Sequence, residues 1–409
     1  MGVEMSGHKL KFIFLFIIVI SFLLAVIKKT NSNEKYFNKY NSAYIPWDTS
    51  IPESLGVNSD VLYKLADELE DNNTHCLLFI KNNKILFEWY NDKNNADIKH
   101  FIASTSKAIV GSLGLLLALQ DSLLSLEDYA CTYIPHWKDD SLKSKIKIKH
   151  LANHTSGLQD ARLPEVFNKK ELPDWMGKYW KEKNKRFEVS LFETPVIFEP
   201  GSRLDYSNTA VSALSYIISK VLSAHNQDLK QNLNNKIYSI LGLTNDTYEI
   251  SYNESFEYDG LNLYEIGGGG YFTTRAAAKI VQLFLNYGKI NNSQIIDSSL
   301  IVKTIRNCTS NDLLIPKGVP APGLLWWTNE NKIWDSLPED AFIAMGADHQ
   351  ILLGIPSLDI IVVRFGSTLS DRKWGEYSSQ GYPAEMWEAM NNYIFKPVME
   401  SLSLNYASF

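Results

Sequence analysis

Cysteine is scarce in this chain: three residues in 409, at positions 76, 131 and 308. So few, so scattered, they support neither a disulfide framework nor a zinc cluster, and each is expected to be a small buried hydrophobe. Excess basic charge is also lacking. The formal net charge of -6 leaves no electrostatic footprint for a nucleic-acid partner. There is no internal repeat and no phosphate loop. The four glycines at 267–270 are not followed by Gly-Lys-Ser/Thr, and Phe272 breaks the G-x-G-x-x-G pattern. They more simply let backbone pass close to a substrate site. His150 and His154 have the i, i+4 spacing of a helical metal pair. The acidic residue that should follow the first is absent, and Thr155-Ser156-Gly157 comes at once, so neither metal nor cofactor is expected.

What is present is enough apolar residue for a large core, 45% hydrophobic and 12% aromatic, far from a disordered composition. The longest apolar run is N-terminal. Residues 12–27 contain Ser21 as their only polar member, between Lys9, Lys11 and Lys28-Lys29. A helix of that length spans roughly 24 Å against a hydrocarbon core of about 30 Å. No small-x-small cleavage signature precedes Lys28, which favours an uncleaved signal anchor over a cleaved signal peptide. Lysines on both flanks leave its orientation open. The expected organisation is an anchor or signal at 1–29, a tether at 30–45 and one domain at 46–400, held outside the cytoplasm by the anchor or secreted if the segment is cleaved.

Within that domain, Val61, Leu62, Leu65 and Leu69 recur at helical spacing over 59–71. Strand-like runs follow at 76–80 and 85–90, joined by the turn Lys81-Asn82-Asn83-Lys84. Residues 105–119 are apolar almost all round, the pattern of a central buried helix. Residues 159–200 and roughly 225–260 read as helices and loops laid over a core, and 274–287 as a clear helix. The runs 350–355 and 359–364 form a second hairpin around Pro356-Ser357, before a closing helix near 383–393. Strands early and late with helices between predict one α+β domain whose terminal strands share a sheet.

Three constellations carry chemistry. Ser104-Thr105-Ser106-Lys107 opens the buried helix and puts Ser104 and Lys107 on one face, one turn apart. A serine hydroxyl needs an adjacent base. Lysine serves only if its pKa falls well below its usual value of about 10, and burial and the helix dipole both push that way. Taken alone, the motif is a weak signal that reads more simply as an N-cap. Tyr206-Ser207-Asn208 precedes a second apolar helix. Tyr206 beside an ammonium can take or return the serine proton, and Asn208 can orient the lysine or a substrate carbonyl. In isolation this is a capped helix start. Third, Gly346-Ala347-Asp348-His349-Gln350 runs into a strand whose edge can supply an oxyanion-hole N–H to complement that of Ser104. Trp326, Trp327, Trp175 and Trp180 suit core packing better than a ring pocket.

In this order the motifs resemble the serine beta-lactamase and penicillin-binding-protein superfamily, in particular the class C beta-lactamase-like serine hydrolases, with their esterase, D-aminopeptidase and 6-aminohexanoate-dimer hydrolase relatives. His150-Leu151-Ala152-Asn153-His154-Thr155-Ser156-Gly157, Glu199-Pro200-Gly201 and the closing strand hairpin add to the likeness, which covers roughly residues 45–396. The resemblance implies a beta-lactamase/transpeptidase-like α+β fold, an antiparallel sheet of terminal strands flanked by helices, with an all-helical subregion. It implies Ser104 as the acylated nucleophile, Lys107 as base or relay and Tyr206 as proton donor to the leaving group. Asn208 would be in support, and the hole would be built from the N–H groups of Ser104 and Gln350. One segment departs from the pattern. Ala347-Asp348-His349 stands where class C beta-lactamases carry Lys-Thr-Gly, so the lysine that holds a substrate carboxylate is absent, and His349 is expected to narrow the groove or add a donor. The leading expectation is hydrolysis of a small ester or amide. The alternatives are a D-amino-acid peptidase or amidase, beta-lactamase-type activity, or a non-catalytic penicillin-binding-like sensor or scaffold.

Overall fold

The computed structural model describes residues 45–91, 93–161, 172–310, 312–369 and 384–402. The chain falls into two units, Met1–Asn41 and Ser42–Phe409, and everything described belongs to the second. The N-terminal apolar segment lies outside the described residues. Among them, the one helical stretch long and apolar enough to cross a membrane is Ala103–Gln120, and it is mostly buried inside the protein.

The core is a seven-stranded sheet. Its strands are β1 (Thr74–Lys81), β2 (Lys84–Tyr90), β3 (Ala321–Pro322), β4 (Trp327–Thr328), β5 (Phe342–Gly346), β6 (Gln350–Ile355) and β7 (Ile360–Gly366), in the order β3-β4-β5-β6-β7-β1-β2. The expected sharing of one sheet by early and late strands is therefore found: β1 pairs antiparallel with β7, with Leu78 opposite Val363. Both predicted hairpins form. Asn82 and Asn83 turn β1 into β2 with φ of 50° and 57°, the left-handed pair that a two-residue hairpin requires and that asparagine tolerates. β6 and β7 are joined by the short helical turn Pro356–Leu358. Every residue of β5, β6 and β7 is buried, so helices cover both faces of the sheet rather than leaving one face wet. The outer edge of β2 is covered too, where Ile85 exchanges backbone bonds with Asp48 and Ser50, which removes an open pairing edge.

Four helices matter for the site. α1 (Ser59–Asp71) is capped by Asn58 and buries Leu62, Leu65, Ala66 and Leu69. The central helix begins as a tight turn, Ala103–Thr105, passes through a wide π-turn, Lys107–Gly111, and continues as α2 (Ser112–Gln120). α3 (Asn208–Ser223) starts from Ser207, whose hydroxyl accepts the Ala210 N–H. α4 (Thr274–Leu285) packs on β6 and β7. Cys76 is buried as expected, but Cys131 and Cys308 are only half-buried.

Candidate active site

Ser104 sits where the chain leaves a short strand, His100–Phe101, and enters the central helix. Ala103 just before it holds φ at 47°, a left-handed conformation that costs a residue with a Cβ about 1–2 kcal/mol. That bend presents the half-buried Ser104 side chain at the helix mouth, while Lys107 one turn on is 3% exposed.

Three elements then converge. Ser104 Oγ lies 2.9 Å from Tyr206 Oη and 3.2 Å from Lys107 Nζ. Lys107 Nζ also donates to Asn208 Oδ1 at 2.9 Å and to the Gly267 carbonyl at 2.5 Å. Three acceptors match the three N–H of an ammonium. Tyr206 is held from its other side by His154, with ring centroids 4.5 Å apart, and His154 in turn stacks on Trp327. Burial and the Lys107 charge lower the His154 pKa to about 3, so the ring is neutral and its Nδ1 accepts the Ser207 N–H.

Ser207 is the helix cap, and on either side of it Tyr206 bonds Ser104 while Asn208 bonds Lys107. The glycine run passes close by, as expected. Gly267 supplies a carbonyl to Lys107, and the Gly270 N–H bonds Ser106 Oγ, with a Cβ at 270 falling 2.6 Å from that oxygen. His150 and His154 do not form a metal pair, since Nδ1 of each accepts a backbone N–H. Of the tryptophans, Trp326 is core, against Phe284 and Phe342, and Trp175 belongs to a separate apolar cluster with Met176 and Tyr179.

The glycine-346 turn differs from expectation. The strand residue against Ser104 is Gly346, where a Cβ would stand 3.1 Å from Ser104 N and 2.5 Å from Ile102 O. Gln350 is one strand further in. The Asn329 N–H bonds the Ala341 carbonyl in register with β4, so residues 341, 343 and 345 turn their backbone groups toward β4 and beyond it to the free edge. Residues 342, 344 and 346 turn theirs toward β6, where Gly346 pairs with Gln350. A planar trans peptide sets the Ala347 N–H opposite the Gly346 carbonyl, so the outward-facing amide next to Gly346 and Ser104 is that of Ala347, while the Gln350 N–H is committed to the hairpin and its side chain bonds both backbone groups of Gly366.

Asp348 and His349 are turn residues, not groove residues. Their φ values are 60° and 57°, and the guanidinium of buried Arg364 gathers both carbonyls, at 2.8 and 2.9 Å. The Asp348 carboxylate faces Thr368. His349 is 1% exposed, accepts the Leu369 N–H and is held near pKa 4 by burial and Arg364. It neither narrows the groove nor adds a donor to it.

A family model described as Beta-lactamase matches residues 73–372. The chain belongs to the beta-lactamase family. As a member it has the beta-lactamase/transpeptidase-like fold. Among solved structures, a protein from Bacillus anthracis provisionally named a 6-aminohexanoate-dimer hydrolase superposes with a TM-score of 0.61 at 19% identity, covering 87% of this chain and 88% of the other. A penicillin-binding-protein homologue from Caulobacter crescentus gives 0.57 at 12%, covering 83% and 99%. These likenesses show the fold. A protein from Salmonella agona provisionally named a D-alanyl-D-alanine carboxypeptidase is 23% identical over 225 residues, 49% of this chain and 50% of its own length. The chain thus spans about half the length of the curated relatives it matches.

Proposed function

We propose that this protein is a serine hydrolase that cleaves a small ester or amide in two steps through an acyl-enzyme on Ser104. The observation that carries the reading is the convergence of Tyr206 Oη and Lys107 Nζ on one serine oxygen, at 2.9 and 3.2 Å. Ser104 Oγ attacks the carbonyl carbon and its proton passes to the Tyr206–Lys107 pair. The oxyanion sits between the N–H groups of Ser104 and Ala347. Collapse breaks the ester or amide bond, and the departing alcohol or amine leaves with that proton. Water then attacks the acyl carbon, gives its proton to the same pair, and Ser104 recovers it as the acid departs. Labelling with a fluorophosphonate followed by peptide mass mapping tests the nucleophile: an adduct on Ser104 is expected, and a folded, unlabelled protein would refute it.

Small esters and simple amides come ahead of D-amino-acid peptides because the lysine that would bind a substrate carboxylate is missing from the glycine-346 turn. The partial match to proteins named as carboxypeptidases favours the peptide reading. Turnover of p-nitrophenyl esters against D-alanyl amides decides between them, and a strong preference for the amides would reverse the order. A ligand-binding scaffold would keep binding after Ser104→Ala with no turnover in either form. The apolar run at 12–27 supports a domain tethered outside the cytoplasm, for which protease accessibility in intact cells is the test.

A further inference from the structure

We propose that Asp160 is a positioning residue for this reaction: by holding the Asn208 amide in one orientation and placing a negative charge behind it, it sets the proton affinity of the Ser104–Lys107–Tyr206 set. The proposal rests on the acyl-enzyme reading above. An asparagine amide has a donor end and an acceptor end of nearly the same shape, so something must choose which end faces Lys107. Asp160 Oδ1 accepts both the Asn208 backbone N–H, at 2.7 Å, and Nδ2, at 3.0 Å. A carboxylate only accepts, so the amide NH2 is forced toward it and Oδ1 turns to Lys107, at 2.9 Å, and Tyr206, at 3.2 Å. In the opposite orientation, amide donors would face ammonium donors.

The segment carrying Asp160 is held on several sides. Gly157 has a φ of 79°, and a Cβ there would lie 2.4 Å from the Phe198 carbonyl. The Gln159 N–H bonds the Pro195 carbonyl, and the Gln159 carbonyl accepts Thr209 Oγ1 at 2.9 Å. A second carboxylate, Glu265, orients another acceptor of Lys107 by taking the Gly267 N–H at 3.0 Å, but Arg186 lies 3.3 Å from it and balances its charge. Among the described residues, the charged and titratable groups facing Asp160 are Lys107, Asp205 and Tyr179. Burial pushes the Asp160 carboxyl up to about 6, with the Asn208 bonds and Lys107 pulling it back. The ionised form is thus held against a desolvation cost, as a functional charge rather than a stabilising one.

The test uses the full chain and two variants. Asp160→Asn keeps the shape and an acceptor for the Asn208 N–H but removes the charge; Asp160→Ala removes both. The readouts are kcat and KM for a p-nitrophenyl ester from pH 5 to 9, the fluorophosphonate labelling rate over the same range, and Tm. Losing a nearby negative charge makes either Lys107 or Tyr206 give up its proton more readily. The acid limb of kcat/KM and of labelling should therefore move to lower pH in Asp160→Asn by about one unit, whichever group carries it. The Tm should be unchanged or higher. Asp160→Ala should lose kcat by roughly 10²-fold with KM within about threefold. A pH profile for Asp160→Asn that superposes on that of the parent after scaling overturns the proposal, as does a loss of activity that merely follows a loss of Tm. If Ser104 in the unsubstituted protein is not labelled at any pH, the acyl-enzyme reading falls and takes this proposal with it.

Discussion

Gly346→Ala tests the construction of the site with the smallest available change. The Gly346 backbone, φ -119° and ψ 168°, is extended and open to any residue, so alanine meets no conformational objection. It meets a spatial one. Its methyl would stand 2.5 Å from the Ile102 carbonyl, 3.1 Å from Ala103 Cβ and 3.1 Å from Ser104 N. Comfortable contact begins near 3.5 Å, so the end of β5 and the nucleophile turn must part by about 1 Å. That movement acts on the gap between the Ser104 and Ala347 amides. Overpacking of this kind costs about 1–3 kcal/mol of stability. A donor displaced by about 1 Å costs on the order of 10²-fold in kcat, close to 2.7 kcal/mol of transition-state stabilisation. Steady-state kinetics on a p-nitrophenyl ester, read beside Tm, separate the two effects. Gly354→Ala is the control: it sits in β6 of the same sheet, and its methyl would press on the Phe342 ring at 2.2 Å rather than on the nucleophile turn. It should lose at least as much Tm while keeping kcat within about threefold. If folded Gly346→Ala keeps kcat within threefold of the parent, the placement of the oxyanion donors is wrong.

Lys107→Ala and Tyr206→Phe each remove one of the two groups on Ser104 Oγ. Both should slow fluorophosphonate labelling by roughly 10³-fold with little change in Tm, and labelling at the parent rate by either would remove that residue from the proton path. Glu88 and Arg275 form a buried bidentate pair at 2.6 and 2.8 Å. Glu88→Gln strands the guanidinium, so a loss of about 3–5 kcal/mol is expected in urea unfolding, and a loss under 1 kcal/mol would contradict it. Three buried imidazoles, His100, His154 and His349, are held near pKa 4, 3 and 4, chiefly by burial. The unfolded chain binds these protons near 6.5 and the folded one does not until about pH 4. Stability contributed above pH 6.5 is therefore lost as pH falls toward 4, by about 1.4 kcal/mol per unit for each ring. A Tm that stays flat from pH 7 to 4.5 would refute the burial of these rings.

The parts of the site that were legible in sequence are those fixed by local geometry. Ser104 and Lys107 are one helical turn apart, and that spacing alone places them together. Tyr206 and Asn208 flank Ser207, and a helix cap orients its neighbours by short-range bonds. What sequence could not supply depends on contacts between distant segments. Asp160 belongs to no chemical motif, and its meaning comes only from the Asn208 amide 48 residues away in sequence. Glu265 acts on Lys107 through the Gly267 backbone, a link that no side-chain pattern records. The misplaced oxyanion donor is the sharpest case. Ala347 opens the hairpin turn and Gln350 follows it, and an amide there points to one edge or the other according to residue parity. Parity depends on register, and register here is set by pairs such as Gly346–Gln350 and Ala344–Leu352 across the hairpin, which residue types alone do not specify. A shift of one residue in that pairing would point the Ala347 amide into the sheet and leave the nucleophile without its second donor. The site's second donor is thus tied to the register of the β5–β6 hairpin rather than to any side chain.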